Sequence, residues 1–98
     1  MKITELKEFD FYIGNTTDDE GEMLADVEAT NEGIEVDGEL VATYDETIDI
    51  NNADNLMEVI DDAISSAKSI KQEDRDELGT YLGAEIDINA WWKINYKL

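Results

Sequence analysis

Apolar residues recur along the chain first at every second position and then at every third or fourth. In "FDFYI", residues 9–13, Phe9, Phe11 and Ile13 share one side of an extended segment. "GNTTDDEGE", residues 14–22, is rich in turn formers and reads as a polar loop. In "MLADVEA", Met23, Ala25, Val27 and Ala29 alternate with Leu24, Asp26 and Glu28. After a turn at "TNEG", Ile34 and Val36 alternate with Glu35 and Asp37. Asp37-Gly38 is a hairpin signal, since a type I′ turn needs positive φ at both central residues. Leu40, Ala42 and Tyr44 continue the apolar side beyond it. This period predicts an antiparallel β-meander with one buried face and one wet face.

The period then changes. Leu56, Val59, Ile60, Ala63, Ile64, Ala67 and Ile70 form a helical stripe, with Asn51 or Asn52 as N-cap and Asp54 complementing the dipole in the first turn. Lys68 and Lys71 suit its C-terminal end. A second helix is expected from about Glu73, burying Leu78, Tyr81, Leu82 and Ile86, with Gly83 ending it. In "AWWKINYKL", Trp92, Ile94, Tyr96 and Leu98 alternate with Trp91, Lys93, Asn95 and Lys97, which predicts a final strand with Trp92 inward. The expected architecture is α+β: an antiparallel meander with two helices packed on one face and a C-terminal strand. Ninety-eight residues without proline or a Gly/Ser tract read as a single domain, 1–98.

Charge adds what the periods do not show. Residues 8–67 hold ten Asp and nine Glu and no Lys or Arg. The formal charge of −19 therefore lies in that segment, and the rest of the chain is neutral. Such segregation carries self-repulsion that a mixed surface avoids. An anionic protein is repelled by nucleic acid and by anionic lipid, so neither nucleic acid nor a membrane is expected as a direct partner, and a cationic protein surface is. Adaptation to high salt would also raise acid content, but it spreads acids over the whole surface. Eleven Ile, seven Asn and six Lys against one Arg is also the residue choice of an ordinary mesophile.

The chain has no cysteine and no histidine. That excludes disulfides, thiolate metal sites, and any nucleophile–base pair built on Cys or His. No catalytic residue and no cofactor is expected. An EF-hand-like spacing (Glu28, Thr30, Glu32, Gly33 and Glu39) falls between segments that read as strands, whereas such a loop needs flanking helices. No metal site is expected there, and "NTTDDEGE" reads as a solvated acidic loop. No apolar run reaches the length of a membrane span, and "MKITELKEFDF" has no apolar signal region, so a cytoplasmic protein is expected.

What uses the segregation is imitation of nucleic acid. Carboxylates at i and i+2 on a strand lie about 6.6 Å apart and neighbouring strands about 4.8 Å, a pitch that Lys/Arg clusters evolved for phosphates can accept. The partner-binding candidates are Asp26, Glu28, Glu35, Asp37 and Glu39 on the outward face, and Asp18, Asp19 and Glu20 from the preceding loop. Asp45, Glu46 and Asp49 at the strand exit join them, as does Trp91 on the polar side of the last strand, since interface hot spots favour Trp.

A small, cysteine-free, strongly acidic α+β chain with a meander followed by helices resembles phage-encoded anti-CRISPR and anti-restriction proteins that imitate nucleic acid. Type II-A anti-CRISPRs, which fill a nucleic-acid site of Cas9, are similar in size, charge and element order. The resemblance implies an inhibitor of a defence nuclease, monomeric or dimeric, acting in the host cytoplasm. The rival expectation is an acidic immunity protein or antitoxin that neutralises a cationic toxin.

Overall fold

Alternation in the first half of the chain closes into one antiparallel sheet. In the computed structural model, which describes residues 1–6, 9–17, 23–83 and 86–95, the strands are β1 (Asp10–Thr17), β2 (Met23–Thr30), β3 (Gly33–Val36) and β4 (Glu39–Thr43), in that spatial order. Helices α1 (Ala53–Ser66), α2 (Gln72–Gly83) and α3 (Ile86–Asn95) follow, so the protein is α+β. β1 runs on through "GNTT", half of the stretch expected to be loop, because Asn15, Thr16 and Thr17 pair with Asp26, Ala25 and Met23. β-Branched Thr suits a strand, and polar residues suit the sheet edge that β1 occupies. Residues 18–22 lie outside the described residues.

Of the three register shifts among the described strands, two set which side chains meet in the centre of the sheet. In β1 the register slips between Tyr12 and Gly14, and the extra residue, Ile13, stays buried with Phe9. In β4 the slip makes Val41 the extra residue, so that Val41 and Ala42 both pack against the core. This overturns the expected parity of β4. Leu40 pairs with Glu35 and is exposed, while Glu39 pairs with the buried Val36 instead of extending the outward row of Glu35 and Asp37. A bulge adds one residue to one strand, and every side chain before it changes face relative to those after it.

The turns behave as the sequence predicts. Asp37 and Gly38 have φ of 52° and 84°, the left-handed pair of a two-residue hairpin. At Gly33, φ is 156° and a Cβ would sit 1.9 Å from the Ala42 carbonyl oxygen, so β4 comes this close only because glycine stands there. The Gly33 carbonyl accepts from the hydroxyls of Thr30 (3.3 Å) and Tyr44 (3.2 Å). Burial, and then the charge of Glu35, pushes the Tyr44 phenol well above its ordinary range, which keeps it a neutral donor.

The Asn52 side chain caps α1, accepting from the Asn55 N–H at 2.8 Å. Leu56, Val59, Ile60, Ala63 and Ile64 are buried along its length, and Ala67 and Ile70 just beyond its end. Fully burying each large aliphatic side chain contributes about 1.5–3 kcal/mol. The helix packs against β3, β4, α2 and α3, and α2 packs against β1. Lys68 and Lys71 fall past the end of α1. The guanidinium of Arg75 instead donates to the Ala67 carbonyl at that end. Leu78 is buried from α2. Ile3, which opens the 3₁₀ turn Ile3–Glu5, and Leu6, which follows it, are also buried, and the Ile50 N–H bonds to the Met1 carbonyl.

The expected C-terminal strand is a helix. Ile88 and Trp92, one turn apart on α3, are buried, whereas Ile94 is 78 % exposed where strand parity would bury it. Trp91 packs edge-on against Phe9 and Phe11, with ring centroids 5.4 and 5.3 Å away. The Asn95 side-chain amide (Nδ2) donates to the Trp91 carbonyl four residues back. Trp92 is the more buried tryptophan as expected, but through a helical stripe of Ile88, Trp91 and Trp92. Tyr96 and Leu98 lie outside the described residues. No helix among the described residues is long and apolar enough to cross a membrane.

Candidate functional site

The face of the sheet opposite to Val27, Ala29 and Ile34 carries the acids. Strand register draws one row across all four strands: Tyr12 opposite Glu28, Glu28 opposite Glu35, and Glu35 opposite Leu40. Asp10, opposite Thr30, lies on one side of this row, and Asp26, opposite Asn15, on the other. Opposed residues have Cβ atoms about 4.5–5.5 Å apart, so Glu28 and Glu35 repel directly. Asp10, then burial, then Glu35 and Asp26 hold the Glu28 carboxyl above its usual range. No described lysine or arginine pairs with Asp10, Asp26, Glu28 or Glu35.

The two ends of the row are not acidic. Tyr12 is 58 % exposed and Leu40 48 %, and the Tyr12 hydroxyl donates to the Asp26 carboxylate at 3.4 Å. The site is thus a patch of four carboxylates framed by an aromatic and an aliphatic side chain. Asp10 and Tyr12 were missed from the sequence although their alternation with Phe9 and Phe11 marks them as outward. Leu40 carried no such signal, because the bulge at Val41 hides its face.

Other candidates are engaged locally. Asp37 is exposed, but its carboxylate accepts from the Asp26 N–H at 3.0 Å while its own N–H bonds to the Asp26 carbonyl at 2.9 Å. This closes the ladder where the turn leaves it. Asp45 Oδ1 accepts from the Thr47 N–H (2.9 Å) and hydroxyl (2.6 Å), and these bonds lower its carboxyl below the usual range. Asp49 lies 3.7 Å from the Met1 amino group. Glu46 is exposed in the same loop as Asp45, and Glu39 is exposed beside the hairpin turn. Trp91 belongs to the Phe9–Phe11 cluster and stands on α3, not on a strand. Asp18, Asp19 and Glu20 lie outside the described residues. Among the described residues no three His, Cys, Asp or Glu side chains gather as a metal site. Compared with protein-family models, curated proteins and solved structures, the chain finds no match.

Proposed function

We propose that the protein is a nucleic-acid-mimicking inhibitor whose outer sheet face occupies the cationic DNA- or RNA-binding site of a defence nuclease, as anti-CRISPR and anti-restriction proteins do. The observation that carries this reading is the patch of Asp10, Asp26, Glu28 and Glu35, held at strand pitch with no described cation paired to it. A folded chain that keeps four like charges together bears a cost, and a cationic partner removes it. In this reading α1 and α2 both back the sheet from the other side and leave the acidic face free. Cas9 is one target of the required kind, and a monomer or dimer presents the face equally well. The test is competition between this protein and the partner's own nucleic acid. Mutual exclusion supports the reading, and simultaneous binding without mutual weakening overturns it.

One observation favours a second reading. Tyr12 and Leu40 frame the acids, and a narrow patch of acid, aromatic and aliphatic groups is how an immunity protein or antitoxin grips a cationic toxin. Alanine scanning separates the two. A mimic spreads its loss over many carboxylates, whereas a plug concentrates it at Tyr12, Leu40 and one or two acids.

A further inference from the structure

A cleft of about 140 Å³ opens between the exit of β4 and α1, and none of the outer-face row lines it. Val59, Asp62 and Ala63 line one wall, at i, i+3 and i+4 on α1, and Tyr44, Asp45 and Ile48 line the other. The inner part is apolar: Tyr44, Val59 and Ala63 are buried and Ile48 half-buried. The rim is anionic, since Asp45 and Asp62 are exposed and no basic residue lines the cleft.

Asp45 is held in place by its neighbour Thr47. Both bonds from Thr47 fall on its Oδ1, which fixes the side chain, holds it ionised and leaves Oδ2 able to accept another donor.

Size narrows the ligand class. A water takes about 30 Å³ in the liquid and drug-sized pockets begin at about 300 Å³, so at about 140 Å³ this cleft has room for one side chain. An apolar floor with a negative rim suits a residue that buries its methylenes and keeps its charge at the surface. A guanidinium sheds water more readily than an ammonium, and its planar fork can meet two carboxylates at once. We propose that the cleft between Asp45 and Asp62 is a binding site for a single arginine side chain presented by a partner protein. The proposal does not rest on the outer sheet face, and either can fail without the other.

The test is an NMR titration of backbone amides with N-acetyl-arginine methylamide and with its neutral isostere, N-acetyl-citrulline methylamide. The arginine probe is expected to shift the amides of Asp45, Ile48, Asp62 and Ala63 saturably. The citrulline probe is expected to bind about tenfold more weakly, and Asp62→Asn to weaken the arginine probe about two- to fivefold, the range of exposed ion pairs. Glu73→Gln, exposed on α2, which adds nothing to the cleft lining, leaves that affinity unchanged. Asp62 is exposed on α1, so the variant keeps its fold, which circular dichroism checks. Equal binding of the two probes overturns the proposal. So does an unaffected Asp62→Asn, or shifts of the same size at Glu28 and Glu35, which would mark general charge screening.

Discussion

Glu28 and Glu35 face each other across β2 and β3 as a cross-strand pair, two acids where sheets usually place opposite charges or apolar partners. Asp10 and Asp26 crowd the same carboxylate of Glu28 from β1 and from its own strand. The sheet tolerates this because its other face is anchored by the fully buried Val27, Ala29 and Ile34. Stability is set on one face, and the crowded acids lie on the other.

Glu28→Gln is expected to stabilise the protein at neutral pH by about 0.2–1 kcal/mol, toward the lower end because solvent still screens a half-buried carboxylate at the sheet surface. The sign follows from linkage. Glu28 has a folded-state pKa above its unfolded value, so its ionised form disfavours the folded state. That penalty is fully present above the folded pKa and disappears as pH falls through the carboxylate range. The advantage of the variant should therefore fade on acidification. Urea midpoints at neutral and acidic pH measure it, and a variant less stable than the parent at neutral pH would show that the acids do not crowd.

Gly33→Ala is expected to cost about 3 kcal/mol or more, beyond ordinary overpacking. The new methyl would meet a backbone carbonyl, that of Ala42, which cannot swing aside as a side chain can. Gly38→Ala is the contrasting case. Gly38 has φ of 84° but open space around it, so only the left-handed strain of about 1–2 kcal/mol applies. Equal losses in urea melts of the two variants would show that β4 does not lie this close to Gly33.

Trp92→Ala is expected to cost about 3–5 kcal/mol as a buried aromatic, and Ile94→Ala less than about 0.5 kcal/mol as an exposed helix residue. A strand would reverse the second expectation, because Ile94 would then share the buried side with Trp92. Thermal melts of both variants decide between helix and strand in this segment, and a large loss at Ile94 would rule out α3.

The meander and α1 were legible because their burial is periodic and their ends carry local chemistry: Asp37-Gly38 at the hairpin and Asn52 at the cap. The final segment was not, because "AWWKI" suits both periods. Trp92 sits on the apolar side of a strand with Ile94 and on that of a helix with Ile88. The choice is tertiary, since Trp91 on α3 meets Phe9 and Phe11 from the far end of the chain. The acidic centre, Asp26, Glu28 and Glu35, could be read from alternation alone. Leu40 and Glu39 could not, because a bulge leaves no mark in composition. Nor could the tying of Asp37 and Asp45 to nearby backbone N–H groups, which depends on turn geometry and not on spacing.

Added salt is expected to raise the melting temperature by several degrees between about 10 mM, where charges interact over about 30 Å, and about 1 M, where the range falls to about 3 Å. The nineteen acids of residues 8–67 supply the repulsion that screening relieves. A domain of this size gains about 4–8 °C per kcal/mol. A flat or falling midpoint across that range would mean the acids are too far apart in the fold to repel.

Reversing the charge of Glu28 and Glu35 together to Lys is expected to weaken binding to a cationic nucleic-acid-binding partner far more than reversing Glu73 and Glu77. The second pair is exposed on α2, in the part of the chain where acids and bases balance, and serves as the control. Asp74 between them is buried and would confound binding with stability. Mimicry predicts that Glu28→Gln or Glu35→Gln alone costs little, because a spread patch has no dominant member. Association should also slow steeply with salt, since steering by a charged face is screened within a Debye length. Rates and affinities measured by surface plasmon resonance across a salt series give both quantities at once. If Glu73 and Glu77 matter as much as Glu28 and Glu35, net charge and not the sheet face is what the partner reads, and the patch on β1, β2 and β3 loses its assigned role.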